Sequence, residues 1–402
     1  MKQVKILVAL LIVAIATLGQ SKTEIINVQS KVFNEVRKVK VSLPEGYHDY
    51  PNRKYIVAWL FDAQSDAFFN FVKATIDYLT ADGYISPLIL VGISSGNRQY
   101  EFTPKAETEQ GIKYFRKSGG AHLLALHLKD EVLPFIQKKY RCNSYNIGIG
   151  HSLGGTFLTY SLINYPELFN ASIIISPNYQ YDNEQLVHKF DSLTNNRILN
   201  NKFLYIAYGK GDAYEERFKP GTRKMDSLLI KKNIQGLKWK VNSLDNDSHG
   251  TTATEGIFKG LIALYRQFTL PYDEFSILIN DTTRPFIDNV KKYYKLQSDW
   301  AGIQLPLIND INGMGYNCFY SNKSKEAIDV FEWALSLYPN DINLYDSMGE
   351  IQQSTGNNKE ALRYYLKGIT VVEQQKSKLQ VRTYESLIKG FKERIHSIKA
   401  TK

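Results

Sequence analysis

From Val32 to Val41 the chain alternates apolar and polar residues, the period-two pattern of a strand with one solvated face. Leu43-Pro44-Glu45-Gly46-Tyr47 closes it in a turn, and residues 22–50 leave room for a second strand. Two continuous apolar runs come next, Tyr55–Phe61 and Ser86–Ile93, with helical spacing over Phe68–Thr80 between them. Short runs without alternation predict central strands buried on both faces. Residues 94–120, with Asn97, Arg98, Glu101, Pro104 and Gly119-Gly120, have no period. So long a connection, leaving the carboxyl end of a strand, predicts a functional or mobile segment. An amphipathic helix is predicted over Ala121–Lys139, a short buried strand over Tyr145–Ile149 and a helix over Thr156–Ile163. Further strands are predicted at Ala171–Pro177, Lys202–Gly209 and Leu237–Val241, then a closing helix over Thr254–Phe268 and a boundary at Pro271. Strands alternating with helices predict a mostly parallel α/β sheet.

Beyond residue 300 the pattern is helical only, with a period of 34. Met314-Gly315 returns as Met348-Gly349, Glu326-Ala327 as Glu360-Ala361, Phe331 as Tyr365 and Ala334 as Gly368. Pro339 has Glu373 as its counterpart, so the second unit is degenerate, and Ser377–Lys399 reads as a terminal covering helix. A small residue where helices cross, an aromatic beside it and a proline between units resemble tetratricopeptide repeats. Such repeats imply a protein or peptide partner, although about two units offer little concave surface. A structural extension docked on the first domain is the other expectation.

With 402 residues the chain is long enough for two domains. We expect a signal peptide at 1–21, an α/β domain at 22–272, a linker helix region at 273–300 and the helical repeats at 301–402. The leader is expected because a basic Met1–Lys5 precedes an apolar Ile6–Leu18 and small residues near Gln20. That apolar run is shorter than the roughly 20 residues a spanning helix needs. Export to the periplasm or medium is expected, with no integral membrane segment after cleavage; an uncleaved anchor is the alternative. The net charge of +10 has no basic block or arm and does not suggest nucleic-acid binding. Cys142 and Cys318 are the only cysteines, fall in different predicted domains and read as small apolar residues rather than a disulfide or metal pair. No histidine pair has the spacing of a zinc helix, and neither metal nor cofactor is expected.

Between the Tyr145–Ile149 strand and its helix stands Gly150-His151-Ser152-Leu153-Gly154-Gly155. Strand, G-x-S-x-G, helix is the context of a nucleophile elbow, in which a sharp turn lifts a serine hydroxyl clear of the backbone. By itself the five-residue pattern is weak. Its weight comes from an acid and a histidine downstream, in the chain order serine, acid, histidine. Asp212 ends the turn after the Phe203–Tyr208 strand, with Glu215 and Glu216 as rivals and Asp245 and Asp247 less favoured. His249 comes after the last strand in a His-Gly turn. The expected roles are Ser152 as nucleophile, His249 as general base and acid, and Asp212 as the group orienting the imidazole. His151 is expected to point away and pack. Leu153 N–H is one expected oxyanion donor, and Ala63 or Gln64 N–H, in the loop after Tyr55–Phe61, the other.

These stretches carry a resemblance over residues 30–270. Leu43–Tyr47, Phe61-Asp62-Ala63-Gln64, Val91-Gly92-Ile93 through Arg98 to Thr103-Pro104, Ser118–Ala121, Gly150–Gly155, Ser176-Pro177 and His249-Gly250 are similar to the esterase family that includes enterochelin esterases, S-formylglutathione hydrolase and carbohydrate feruloyl esterases. The resemblance implies an α/β-hydrolase sandwich followed by the small all-α region, a Ser152–Asp212–His249 triad, and cofactor-free hydrolysis of a small-molecule ester. Two departures stand out: Ala63 where the family usually has glycine, and Asn178-Tyr179-Gln180-Tyr181 where it often has a tryptophan segment. Arg98, Tyr100, Tyr179 and Tyr181 are the expected substrate contacts, the tyrosines by stacking on aromatic groups. The substrate expected is a short-chain, aromatic, sugar or siderophore ester. An acyltransferase on the same fold, or an inert binding protein working through its repeats, are the alternatives.

Overall fold

The computed structural model describes residues 23–400. The expected signal peptide and its cleavage point lie outside the described residues. Eight strands form one sheet: β1 (Thr23–Ser30), β2 (Glu35–Ser42), β3 (Tyr55–Phe61), β4 (Leu88–Ile93), β5 (Cys142–His151), β6 (Ala171–Ile175), β7 (Phe203–Gly209) and β8 (Lys238–Leu244). Their order is β1-β2-β4-β3-β5-β6-β7-β8. β1 and β2 are antiparallel, as are β2 and β4, and every other pairing is parallel. The alternating stretch starts as a strand only at Glu35, because residues 31–34 turn the chain and Asn34 has a positive φ of 53°. This architecture is that of an α/β-hydrolase.

The continuous apolar runs became central strands for a simple reason: successive side chains leave opposite faces, and helices cover both. On one face Ile56, Ala58 and Leu60 belong to one apolar cluster with Phe69, Val72 and Ile76 of helix Asp66–Ala81 and Ile257 and Leu261 of helix Thr252–Tyr265. On the other side, Val57, Trp59 and Phe61 belong to one apolar cluster with Leu124, Leu128, Phe157 of helix Leu153–Asn164 and Met225 of helix Ala213–Lys232. Trp59 is fully buried, and its indole N–H donates to Asn146 Oδ1 at 3.0 Å, so no buried donor is orphaned there. The parallel registers bring the carboxyl ends of β3, β5, β6, β7 and β8 to one edge of the sheet.

The C-terminal third of the chain is helical, with helices Tyr272–Asn280, Phe286–Ala301, Ile308–Tyr320, Ser324–Leu337, Ile342–Ser354, Asn358–Gln374 and Val381–Ala400. The 34-residue spacing corresponds to equivalent contacts. A Cβ on Gly315 would lie 2.5 Å from the Phe331 ring, and Gly349 meets the ring of Tyr365 in the same way. Within residues 273–300, Phe275, Phe286, Val290 and Tyr294 belong to the same apolar cluster as the sheet, which continues to Met314 and Phe331. The helical region docks on the amino ends of the strands. Arg53, just before β3, pairs with Asp341 at 2.7 Å, and Trp300 Nε1 donates to Gly236 O, just before β8, at 2.8 Å. It therefore sits at the opposite edge of the sheet from Ser152. None of the described helices is long and apolar enough to cross a membrane. Cys318 is buried and Cys142 half-buried, and both are free thiols.

One carboxyl in this junction is expected to control stability. Asp310 has a buried Oδ2 without a partner, and burial pushes its pKa up to about 7 from 3.8. The folded state thus holds a proton that the unfolded chain releases near pH 4. The resulting stability is full below about pH 4 and is lost as pH rises through about 7. Asp310→Asn, neutral at every pH, should raise the melting temperature at pH 8 by several degrees, about 1 kcal/mol or more, and leave it little changed at pH 4. Thermal unfolding of both proteins at the two pH values checks this.

Candidate active site

The turn from β5 into helix Leu153–Asn164 places Ser152 at φ 58°, ψ −120°, a conformation costly for a residue with a Cβ. The chain can turn this sharply because strand and helix touch: a Cβ on Gly150 would fall 2.5 Å from the carbonyl of Gly154. Ser152 Oγ lies 3.0 Å from His249 Nε2, and His249 Nδ1 lies 2.6 Å from Glu215 Oε1. Hydroxyl, imidazole and carboxylate therefore form one hydrogen-bonded line at the carboxyl edge of the sheet.

The acid in this line is Glu215, which corrects the expectation of Asp212. Asp212 caps helix Ala213–Lys232, its Oδ1 accepting from the N–H groups of Tyr214 and Glu215 at 2.9 and 3.0 Å. Its Oδ2 accepts from the backbone N–H of His249 at 2.8 Å, so it holds the loop and leaves the imidazole to Glu215. Glu215, one turn into the helix, points back beneath the loop and is fully buried. Burial alone would raise its pKa, but bonds from His249, Ser176 and Gly209 outweigh it and hold the carboxyl below its usual range. The Gly209 N–H donates to Oε2 at 2.6 Å. Asp212-Ala213-Tyr214-Glu215 was a readable signal: an N-cap aspartate followed three residues later by glutamate marks a helix start, and a capping carboxylate is already engaged. Glu216 pairs with Lys219, Asp245 pairs with Lys210, and the backbone carbonyl of Asp247 accepts from Lys210 and Gly211.

The backbone of His249 is held on both sides. Its carbonyl accepts from Thr252 Oγ1 at 3.0 Å and from His151 Nε2 at 2.7 Å. That bond places the His151 proton on Nε2. Burial, then the neighbouring His249, drives its pKa down to about 4, so it packs at 4.7 Å between ring centroids as a neutral ring. Two residues not anticipated flank the His249 ring: Tyr214 stacks at 5.5 Å with planes 30° apart, and Phe218 meets it edge-on at 5.3 Å. Tyr214 is 58% exposed and forms an aromatic surface at the rim of the site.

Leu153 opens its helix, so its N–H has no partner four residues back. Ala63 N–H is taken by Ile93 O at 3.1 Å, which removes it as an oxyanion donor and leaves Gln64 N–H in that loop. Arg98 does not reach out for substrate. Its Nε and Nη2 grip both carboxylate oxygens of Asp62 at 2.9 Å, and Asp62 Oδ1 also accepts from Gln64 Nε2 at 2.8 Å. Tyr179 and Tyr181 are core residues, 2% and 1% exposed, with hydroxyls bonded to Thr159 and to the Pro104 carbonyl. They cannot stack on a ligand, and Tyr100 lies with its ring against Gly120. Among the described residues no group of three or more His, Cys, Asp or Glu side chains is placed to hold a metal ion.

Comparison with known proteins agrees with this geometry. Residues 30–220 match the family model described as "Putative esterase". A curated relative, the ferri-bacillibactin esterase BesA of Bacillus subtilis, is 24% identical over 181 residues, covering 41% of this chain and 63% of the relative, so the match spans less than two thirds of that protein. Among solved structures, an IroE-like serine hydrolase from Shewanella oneidensis superposes with a TM-score of 0.67 at 19% identity, covering 79% of this chain and all of that one. A protein from Capnocytophaga ochracea superposes with a TM-score of 0.62 at 16% identity over 94% of this chain and 100% of its own, a span that takes in most of the C-terminal helices. At such identities these structures speak to fold alone. The family match, the fold and the strand–elbow–helix around Ser152 agree: residues 30–220 of this chain are similar to that esterase family.

Proposed function

We propose that the protein is a serine esterase that hydrolyses a carboxylic ester through an acyl-enzyme on Ser152. The observation that carries this reading is the unbroken line Ser152 Oγ–His249–Glu215, with bonds of 3.0 and 2.6 Å. Ser152 attacks the ester carbonyl as its proton passes to His249 Nε2. Glu215 stabilises the imidazolium and fixes its tautomer, and the N–H groups of Leu153 and Gln64 receive the oxyanion. Collapse expels the alcohol, which takes the proton from His249. Water then attacks the acyl-enzyme by the same route and returns Ser152.

An aromatic acyl ester of the siderophore type is the substrate class we favour. In support, the Bacillus subtilis relative is a ferri-bacillibactin esterase, and a fold neighbour with a TM-score of 0.53 is the siderophore hydrolase EstB of Aspergillus nidulans. The exposed Tyr214, with Arg217 at 5.9 Å from its ring, offers an aromatic and cationic rim suited to an anionic aryl acyl group. A panel of catecholate siderophore esters, feruloylated and acetylated sugars and short alkyl esters tests this. The aryl esters should give the highest kcat/KM, and Tyr214→Ala should lower that value about fivefold for aryl substrates and little for acetyl esters. A wild type preferring long-chain lipid esters contradicts the substrate class. We read residues 1–21 as an export leader, which mass spectrometry of the mature N-terminus checks; an intact Met1 contradicts it. The helical region we read as a brace on the amino ends of the strands, held by Arg53–Asp341 and the shared apolar cluster.

A further inference from the structure

The loop carrying Gln64 is fixed from both sides, and one of its anchors is a charge. Ala63 donates its N–H to Ile93 O on β4 at 3.1 Å, and its carbonyl accepts from Lys40 Nζ on β2 at 2.6 Å. Lys40 and Gly92 are register partners across β2 and β4. A Cβ on Gly92 would lie 2.6 Å from Ala63 Cβ and 2.8 Å from the Phe69 ring. The missing side chain thus lets the loop settle onto the sheet within reach of the lysine. Lys40 Nζ also pairs with Asp66 at 2.5 Å, but Asp66 is 85% exposed while Lys40 is 12% exposed, so that pair is a weak anchor.

The Ala63 carbonyl and the Gln64 N–H belong to one planar trans peptide and point in opposite directions. A cation bonded to that oxygen therefore does two things. It sets which way the Gln64 N–H faces, and it draws electron density from the amide so that the N–H is a stronger donor. The opposite side of the loop abuts the elbow: a Cβ on Gly154 would meet Phe61 Cβ at 3.3 Å and Asp62 Oδ2 at 3.6 Å. Bidentate Arg98 fixes Asp62, and Ser95 N–H donates to Gln64 Oε1 at 3.1 Å, so the peptide has little freedom other than rotation about its own axis. Lys40 opposes that rotation.

We propose that Lys40 is a positioning residue for catalysis, aiming and polarising the Gln64 N–H toward the oxyanion of the tetrahedral intermediate. The proposal rests on the serine-esterase reading of Ser152, His249 and Glu215. Loss of an oxyanion donor costs about 10²–10³ in kcat, and a misaligned donor less. Lys40→Met keeps the stem beside Phe69 and should lower kcat about tenfold or more, with KM within about twofold. It should weaken a trifluoromethyl ketone inhibitor, whose adduct carries the same oxyanion, by the same factor as kcat. Lys40→Arg should restore most of both. Asp66→Asn, which removes only the exposed pair, and Lys38→Met on the same strand should match wild type. The proposal is overturned if Lys40→Met retains kcat, if inhibitor affinity does not change in step with kcat, or if Asp66→Asn reproduces the loss. A wild type that turns over esters while Lys40→Met is unchanged removes the Lys40 role alone; a wild type inert to every ester and unlabelled by a fluorophosphonate removes the esterase reading and this role with it.

Discussion

Glu215→Gln is expected to lower kcat by about 10⁴, close to 5.5 kcal/mol of barrier. Both oxygens of the buried carboxylate are in use, Oε1 accepting from His249 Nδ1–H and Oε2 from Gly209 N–H. A carboxamide has one acceptor. If its oxygen serves Gly209, its NH₂ faces His249 and drives the ring proton to Nε2, where it blocks transfer from Ser152. If the amide turns over, its NH₂ opposes the Gly209 N–H, leaving unpaired donors in a site without water access. Asp212→Asn is a different experiment, because Asp212 touches only backbone N–H groups, those of Tyr214, Glu215 and His249. It should cost at most about 30-fold, or about 2 kcal/mol, through a looser His249 loop and a weaker helix cap. Steady-state kinetics of the two variants, with circular dichroism to verify folding, separates the roles. A larger loss at Asp212 than at Glu215 would overturn the assignment of the acid.

Ser152→Ala should be the most damaging single change, about 10⁶ in kcat, leaving the residual rate that binding and the oxyanion donors provide. The elbow adds a thermodynamic signature. At φ 58° any side chain is strained, so Ser152→Ala should keep the wild-type melting temperature, whereas Ser152→Gly should raise it, by about 1 kcal/mol or more, as the strain is released. An inactive but stabilised glycine variant is what a strained functional position predicts. Equal destabilisation of both variants would mean that Ser152 serves packing.

Much of the frame was legible because one physical signal decided it. The runs at Tyr55–Phe61 and Ser86–Ile93 read as strands covered on both faces, and the elbow glycines marked a strand passing close to a helix. The Gly–aromatic pairs at a spacing of 34 likewise correspond to helix crossings. The site resisted where position in sequence and direction in space diverge. Asp212 and Glu215 leave the same turn after β7, and only the helix starting at Ala213 decides that the first caps and the second turns inward. Tyr179 and Tyr181 occupy a loop that the family resemblance places beside the pocket, but a tyrosine that bonds a core threonine looks the same in sequence as one that stacks on a ligand. Lys40 occupies an alternating strand position that reads as solvent-facing, and only the Ala63 carbonyl above it gives it a role.

The most direct measurement is intact-mass spectrometry and peptide mapping of the protein after exposure to a fluorophosphonate, with Ser152→Ala and Glu215→Gln beside the wild type. A hydroxyl activated by His249 and Glu215 predicts a single adduct on the peptide containing Ser152, no adduct on Ser152→Ala and much slower labelling of Glu215→Gln. No adduct on the wild type, or the same adduct on Ser152→Ala, would contradict it.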